Sequence, residues 1–169
     1  GVVKQTPGYY ANMMNQFIHE HNTFEDERGS FTPIQSNAFD QRWDQFNIST
    51  NVEKFTFRGM HYQTEPPQTK CIKVIKGEIV DFWYNLKTHE VSYCTLTNKQ
   101  ILEVPSAFAH GFLTLEPNTI VSYLVRGKYN PKSEHSIPWH SIPNIKKGVG
   151  KYLGVYGSNE KVVTSDKDS

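Results

Sequence analysis

The run Lys70-Cys71-Ile72-Lys73-Val74-Ile75-Lys76-Gly77-Glu78-Ile79-Val80-Asp81-Phe82-Trp83-Tyr84 decides the fold class. Over residues 70–75, Ile72 and Val74 share one face and Cys71, Lys73 and Ile75 the other, which is the period of a strand. Lys76-Gly77 breaks the pattern, and a second run opens over residues 78–84. The same rhythm continues on both sides. Residues 52–57, 91–96, 100–104, 111–115 and 119–125 read as strands, separated by turn residues such as Thr97-Asn98 and Glu116-Pro117-Asn118. Short strands at roughly ten-residue spacing indicate an all-β antiparallel sandwich or barrel. No long amphipathic helix interrupts them, which disfavours a parallel α/β sheet.

The flanks are less regular. Residues 9–21, with Met13, Phe17 and His21 four apart, are expected to form a short helix, and residues 24–31 a turn leading into a strand. Beyond Tyr129-Asn130-Pro131 the chain is rich in Pro, Lys and Gly. Residues 141–169 are expected to wrap the barrel irregularly, with Tyr152 and Tyr156 in a small aromatic cluster and residues 164–169 frayed.

A chain of 169 residues fits a single domain over 1–169. Mean hydropathy is low, −0.59, but aromatics reach 13% and can build a core with few aliphatics. A net charge of +1 gives no argument for nucleic acid or an acidic membrane surface as partner. Cys71 and Cys94 lack metal-ligand spacing and read as free buried thiols in a reducing compartment. No run approaches the ~18 apolar residues of a membrane helix, and no signal-peptide core precedes residue 20, so a cytoplasmic protein is expected.

The chemistry concentrates in Phe57-Arg58-Gly59-Met60-His61-Tyr62-Gln63 and the Pro66-Pro67-Gln68-Thr69-Lys70 that follows. These place a cation, an imidazole and a second cation on what read as neighbouring strands. A base beside fixed positive charge is what a carbon acid needs to lose its proton near neutral pH. Taken alone, a strand histidine is more often a core residue bonded to a carbonyl. Strict alternation puts Gly59, His61 and Gln63 on one face and Arg58 on the other, unless a bulge intervenes. Hairpin pairing would bring Lys70 beside His61. A lysine facing a barrel interior carries a desolvation cost that an anion or a developing enolate would offset. His110, in Phe108-Ala109-His110-Gly111-Phe112, is a second imidazole. Tyr123 is either a packing residue or a proton donor, and Arg28 either a surface ion-pair residue or a phosphate contact. A metal site would need His61, His110 and an acid from elsewhere, since residues 60–72 hold only Glu65 as a carboxylate.

The order of motifs resembles one family, the dTDP-4-dehydrorhamnose 3,5-epimerases, over residues 24–140. It runs through Asp26-Glu27-Arg28-Gly29 with Phe31, the segments around His61 and Lys70, Gly77-Glu78-Ile79, Val104-Pro105 with the His110 motif, Tyr129-Asn130-Pro131, Glu134, and Ile137-Pro138-Trp139. The resemblance implies a cupin jelly-roll barrel, a homodimer, no metal or other cofactor, and a dTDP-linked 4-keto-6-deoxyhexose as substrate. His61 matches the base that removes a proton next to the C4 ketone. Lys70 matches the cation beside the C4 oxygen, and Tyr123 the acid that returns a proton on the opposite face. Arg58 and His110 match residues of the sugar site, Arg28 a nucleotide or phosphate contact, and Tyr129 an aromatic near the substrate. Phe31 and Gln63 join them as substrate-binding candidates.

Departures from the family pattern shape a second expectation. The family's Asp two residues after the tryptophan, partner of the base, falls on Ser141 here, and a serine does not stabilise an imidazolium electrostatically. Ser30, Pro33 and Ala107 also depart from the usual residues. Beside the epimerase therefore stand a sugar-nucleotide-binding cupin with impaired catalysis and a metal-dependent cupin enzyme.

Overall fold

The computed structural model describes residues 14–33, 42–156, 161–165 and 168, the side chains of 155 and 156 excepted. Its strands, in chain order, are β1 (Ile18–Glu20), β2 (Phe24–Asp26), β3 (Gly29–Phe31), β4 (Gln45–Asn51), β5 (Phe57–Gln63), β6 (Thr69–Lys76), β7 (Glu78–Asn85), β8 (Val91–Thr97), β9 (Gln100–Val104), β10 (Phe108–Thr114), β11 (Thr119–Arg126) and β12 (Glu134–Ser136). A 3-10 turn, Trp139–Ser141, leads into helix α1, Pro143–Tyr156. Two antiparallel sheets face each other, ordered β12-β5-β10-β7-β8 and β1-β9-β6-β11-β4. β2 and β3 form a separate hairpin. From β4 to β12 the chain passes back and forth between the sheets, which is the jelly-roll barrel expected from the strand rhythm.

The first sheet is buried on both faces. Inside the barrel, Ile79, Trp83, Phe112 and Cys94 pack against Ile72, Val74, Leu102 and Val121 of the second sheet. On the outside, Phe57, Val80, Phe82, Tyr93 and Leu113 pack against Ile145 and Val149 of α1. This double burial explains why residues 79–83 read as one apolar run rather than an alternation. The outer face of the second sheet is covered only in part, where Cys71 and Ile101 pack with Trp43 and Leu124; at its edge β4 alternates, with Phe46 and Ile48 more than 60% exposed.

Three expectations are corrected. The strand expected over residues 52–57 lies instead at Gln45–Asn51, and β5 begins at Phe57. The helix expected over 9–21 ends early: Met14 and Asn15 are helical, β1 begins at Ile18, and residues 9–13 lie outside the described residues. The segment expected to be irregular holds α1. Gly148, Gly150 and Gly154 lower its intrinsic propensity by about 1 kcal/mol each relative to Ala, which hides it from a sequence pattern. Packing overrides that deficit. A Cβ at Gly148 would sit 3.0 Å from the Tyr93 ring and 3.1 Å from Phe82, so the missing side chain is what lets the helix lie on the sheet. Tyr152 packs on Tyr93, while the Tyr156 side chain lies outside the described residues. Both cysteines are free and buried, and burial pushes the Cys71 thiol up to about 12. Among the described residues no helix is long and apolar enough to cross a membrane.

Candidate active site

The ladder between β5 and β10 contains a bulge. His61 stands opposite His110, but Arg58 stands opposite Phe112, so β5 carries one extra residue over this stretch. The bulge reverses the parity of strict alternation, and Arg58 joins His61 in lining the barrel mouth. Gly59 sits at the bulge with φ of 115°, and a Cβ there would lie 2.6 Å from the His110 carbonyl oxygen and 2.7 Å from Gly111 Cα. Gly59→Ala is therefore expected to destabilise the protein by about 2 kcal/mol or more. A urea unfolding midpoint equal to that of the parent protein would contradict this account of the bulge.

The bulge also frees the Gly59 N–H from the ladder, and the Asp168 carboxylate takes it. Gly59 N donates to Asp168 Oδ2 at 3.0 Å, His61 Nε2 meets Oδ1 at 2.6 Å, and the Ser136 hydroxyl donates to Oδ1 at 3.0 Å. Asp168 is only 3% exposed. Burial alone would raise its pKa, but the bonds from His61, Gly59 and Ser136 outweigh it and hold the carboxyl below the ordinary value of 3.8. The segment reaches the site because Val163 bridges Thr56 in parallel and exchanges backbone bonds with Phe55 and Phe57. The base candidate thus has a carboxylate partner. The expectation that Ser141 stands at that place is corrected, because the Ser141 hydroxyl donates to the Pro138 carbonyl at an exposed 3-10 turn. The expectation that residues 164–169 fray is corrected at Ser165 and Asp168; residues 166, 167 and 169 lie outside the described residues.

A second pair stands beside the first. His110 Nε2 meets Asp81 Oδ1 at 2.7 Å, and Trp83 Nε1 donates to Asp81 Oδ2 at 3.0 Å. Asp81 is fully buried, so both its oxygens need these partners. Among the described residues no three His, Cys, Asp or Glu side chains converge as a metal ion would require.

Two neighbouring chambers open here. His61, Lys70 and Tyr123 line both. The inner one, about 250 Å³, adds Arg58, His110, Phe112, Ser165 and Asp168. The outer one, about 280 Å³, adds the amides of Gln45, Asn47 and Gln68, with Tyr129 and Glu134. β5 and β6 are consecutive yet belong to opposite sheets, so Lys70 is not a hairpin neighbour of His61. Lys70 and Tyr123 come from the second sheet, where β6 pairs β11, and His61 from the first. Arg58 is oriented by Asn51, whose Oδ1 accepts from Arg58 Nε at 2.7 Å.

Gln63 lines a small cavity beside the site with His61, Lys70 and His110, while Arg28 and Phe31 fall elsewhere. Gln63 is buried, its amide nitrogen donating to the carbonyls of Pro66 and Lys128 and its oxygen accepting from Asn130 N. It ties down the loop carrying Tyr129, itself 55% exposed at the rim. Arg28 is ion-paired with Asp26 on the β2–β3 hairpin, and Phe31 is 69% exposed there; neither lines either of these two chambers. Sequence reasoning missed Asp81, Ser136, Asn51 and Asp168. Asp81 had a signal, a lone carboxylate inside the apolar residues 79–83. Asp168 had none, because nothing local links it to a histidine more than a hundred residues away.

Comparison with known proteins gives one consistent family. The sequence profile described as dTDP-4-dehydrorhamnose 3,5-epimerase matches residues 11–169. A protein of that name from Methanothermobacter thermautotrophicus is 36% identical, with 72% of each chain covered. Another, from Shigella flexneri, is 29% identical over 89% of this chain and 86% of its own. Among solved structures, the dTDP-4-dehydrorhamnose 3,5-epimerase of Bacillus anthracis, with TDP and PPi bound, superposes with a TM-score of 0.70 at 31% identity, covering 89% of both chains. An epimerase from Legionella pneumophila in complex with dTDP-4-keto-L-rhamnose also gives 0.70, at 28% identity over 89% of this chain and 83% of that one.

Proposed function

Since the chain belongs to the dTDP-4-dehydrorhamnose 3,5-epimerase family, we propose that it inverts C3, C5 or both in a dTDP-linked 4-keto-6-deoxyhexose. The observation that carries this reading is the pair that His61 of one sheet makes with Asp168 of the C-terminal segment, lining the chamber that Lys70 and Tyr123 of the other sheet also line. A C4 ketone acidifies the hydrogens on C3 and C5. His61 removes one of them, Asp168 holding the ring and stabilising the imidazolium that forms. Lys70 stands by the C4 oxygen as enolate charge develops. Tyr123, from the opposite sheet, returns a proton to the other face of the carbon, and the configuration inverts. Arg58 and His110 line the sugar subsite, and His110 is held by Asp81. The nucleotide lies in the outer chamber beside Tyr129, where neutral amides suit a base and ribose. The scheme needs no metal or other cofactor, because fixed cations supply the charge stabilisation.

The same reading treats residues 1–169 as one catalytic domain working in the cytoplasm, in keeping with two free buried thiols. It also includes a homodimer. Arg28 and Phe31 line neither of the two chambers described, and Phe24 and Phe31 are 60% and 69% exposed on the hairpin, a surface that a second copy would cover.

The test is incubation with dTDP-4-keto-6-deoxyglucose in D2O, following the C3 and C5 hydrogens by proton NMR. Loss of one or both signals is expected. Saturation-transfer binding without any exchange would favour the non-catalytic sugar-nucleotide binder. That alternative drew its support from Ser141 and Pro33 together; the contact of Asp168 with His61 weakens the first of these grounds.

A further inference from the structure

Ser136 has no part in the scheme above, yet its position is specific. It ends β12 and stands directly opposite His61 in the β12–β5 ladder, so both side chains leave the sheet on the same face. Between them lies the Asp168 carboxylate. Oδ1 receives His61 at 2.6 Å and Ser136 at 3.0 Å, while Oδ2 receives the Gly59 N–H.

Asp168 lies beyond the bridge that Val163 makes to Thr56, and its amide donates to the Ser165 carbonyl. The Gly59 bond anchors one oxygen, but a carboxylate held at one oxygen can still swing its second oxygen out of the imidazole plane. A second donor on Oδ1 removes that freedom. The Ser136 hydroxyl is that donor, and it sits on the strand paired with His61, so ring and carboxylate are registered by the same ladder.

We propose that Ser136 is a positioning residue for epimerisation: its hydroxyl orients the Asp168 carboxylate so that His61 is presented to the carbon acid. This inference rests on His61 being the base. Ser136 touches neither substrate nor reacting atoms in this account, so its removal lowers turnover more than binding.

The experiment uses the full chain with dTDP-4-keto-6-deoxyglucose in D2O and compares the parent protein with Ser136→Ala, Ser136→Thr and His61→Ala. For Ser136→Ala, kcat for exchange is expected to fall roughly 10-fold, as for loss of a hydrogen bond to a charged group, with KM little changed. Ser136→Thr, which keeps the hydroxyl, is expected to recover most of that loss. The downfield proton resonance of the His61–Asp168 bond is expected to weaken or shift in Ser136→Ala and return in Ser136→Thr; this signal needs no turnover, so it tests the contact with any substrate. Should Ser136→Ala not fold, Ser136→Gly removes the same hydroxyl. An unchanged kcat in the hydroxyl-free variant, equal impairment of the Thr variant, or an unmoved downfield resonance would each overturn the proposal. If His61→Ala keeps its exchange activity, the assignment of the base is what fails. If His61→Ala is inactive and Ser136→Ala fully active, only the role of Ser136 fails.

Discussion

His61→Ala should lose C3 and C5 deuterium exchange by ~10³-fold or more, the upper part of the range for a positioned general base, while still binding the nucleotide-sugar. The reason is geometric. His61 alone among the chamber residues combines a titratable ring, a carboxylate behind it and an open approach from both chambers. His110 is not a substitute, because it is 6% exposed and its Nε2 is committed to a fully buried Asp81. Binding is expected to survive, because the outer chamber, with Gln45, Asn47 and Tyr129, is built from other strands and loops. Single-turnover exchange followed by NMR, with dTDP-sugar affinity from calorimetry, separates the two effects. Exchange within tenfold of the parent protein would remove His61 from the role of base.

Asp168→Asn should lower kcat by roughly 10² to 10⁴-fold, by analogy with other carboxylates that hold a catalytic imidazole. The amide keeps the shape but cannot stabilise an imidazolium, and one of its ends is a donor facing donors. In the His61→Ala background the same change should add little, since the two residues act as a unit. A pH effect follows from the same contacts. The folded carboxyl lies below its ordinary 3.8, so its contribution to stability is complete above 3.8 and is lost as pH falls through the lower folded value. Urea midpoints taken between pH 5 and pH 2.5 should therefore decline more steeply for the parent protein than for Asp168→Asn. Equal slopes would mean that the carboxylate adds nothing to docking of residues 161–168. Ser141→Asp, in contrast, should leave kcat unchanged, because Ser141 faces the Pro138 carbonyl and not His61.

Much of the barrel was legible because its information is local. Strand rhythm and turn residues over residues 69–126 locate β6 to β11 to within a few residues, and alternation in β6 separates Ile72 and Val74, which face the interior, from Lys73 and Ile75. The His61, Lys70, His110 and Tyr123 segments were conspicuous for a similar reason: polar, titratable groups stand out inside strands that otherwise bury apolar surface. Local signals failed where packing decides. Helix α1 exists because Ile145 and Val149 cover a sheet already apolar on its outer face, against the propensity of its glycines. β4 was missed because its apolar residues Phe46 and Ile48 lie on the exposed face, not in a core.

By itself, then, the order of residues determined that the chain is a β barrel, that imidazoles and cations are concentrated in a few of its strands, and which family it belongs to. Each of these depends on periodicity, on residue type or on motifs read a few positions at a time. Only the tertiary structure decided that Lys70 faces His61 from the opposite sheet, that one extra residue in β5 turns Arg58 inward, and that Asp168 rather than Ser141 stands behind His61. Those facts depend on which strands pair, where a ladder slips by one residue, and which distant segment fills a vacant hydrogen-bond donor. No spacing along the chain encodes them, because the contacts form between residues as many as 109 positions apart, as between Gly59 and Asp168.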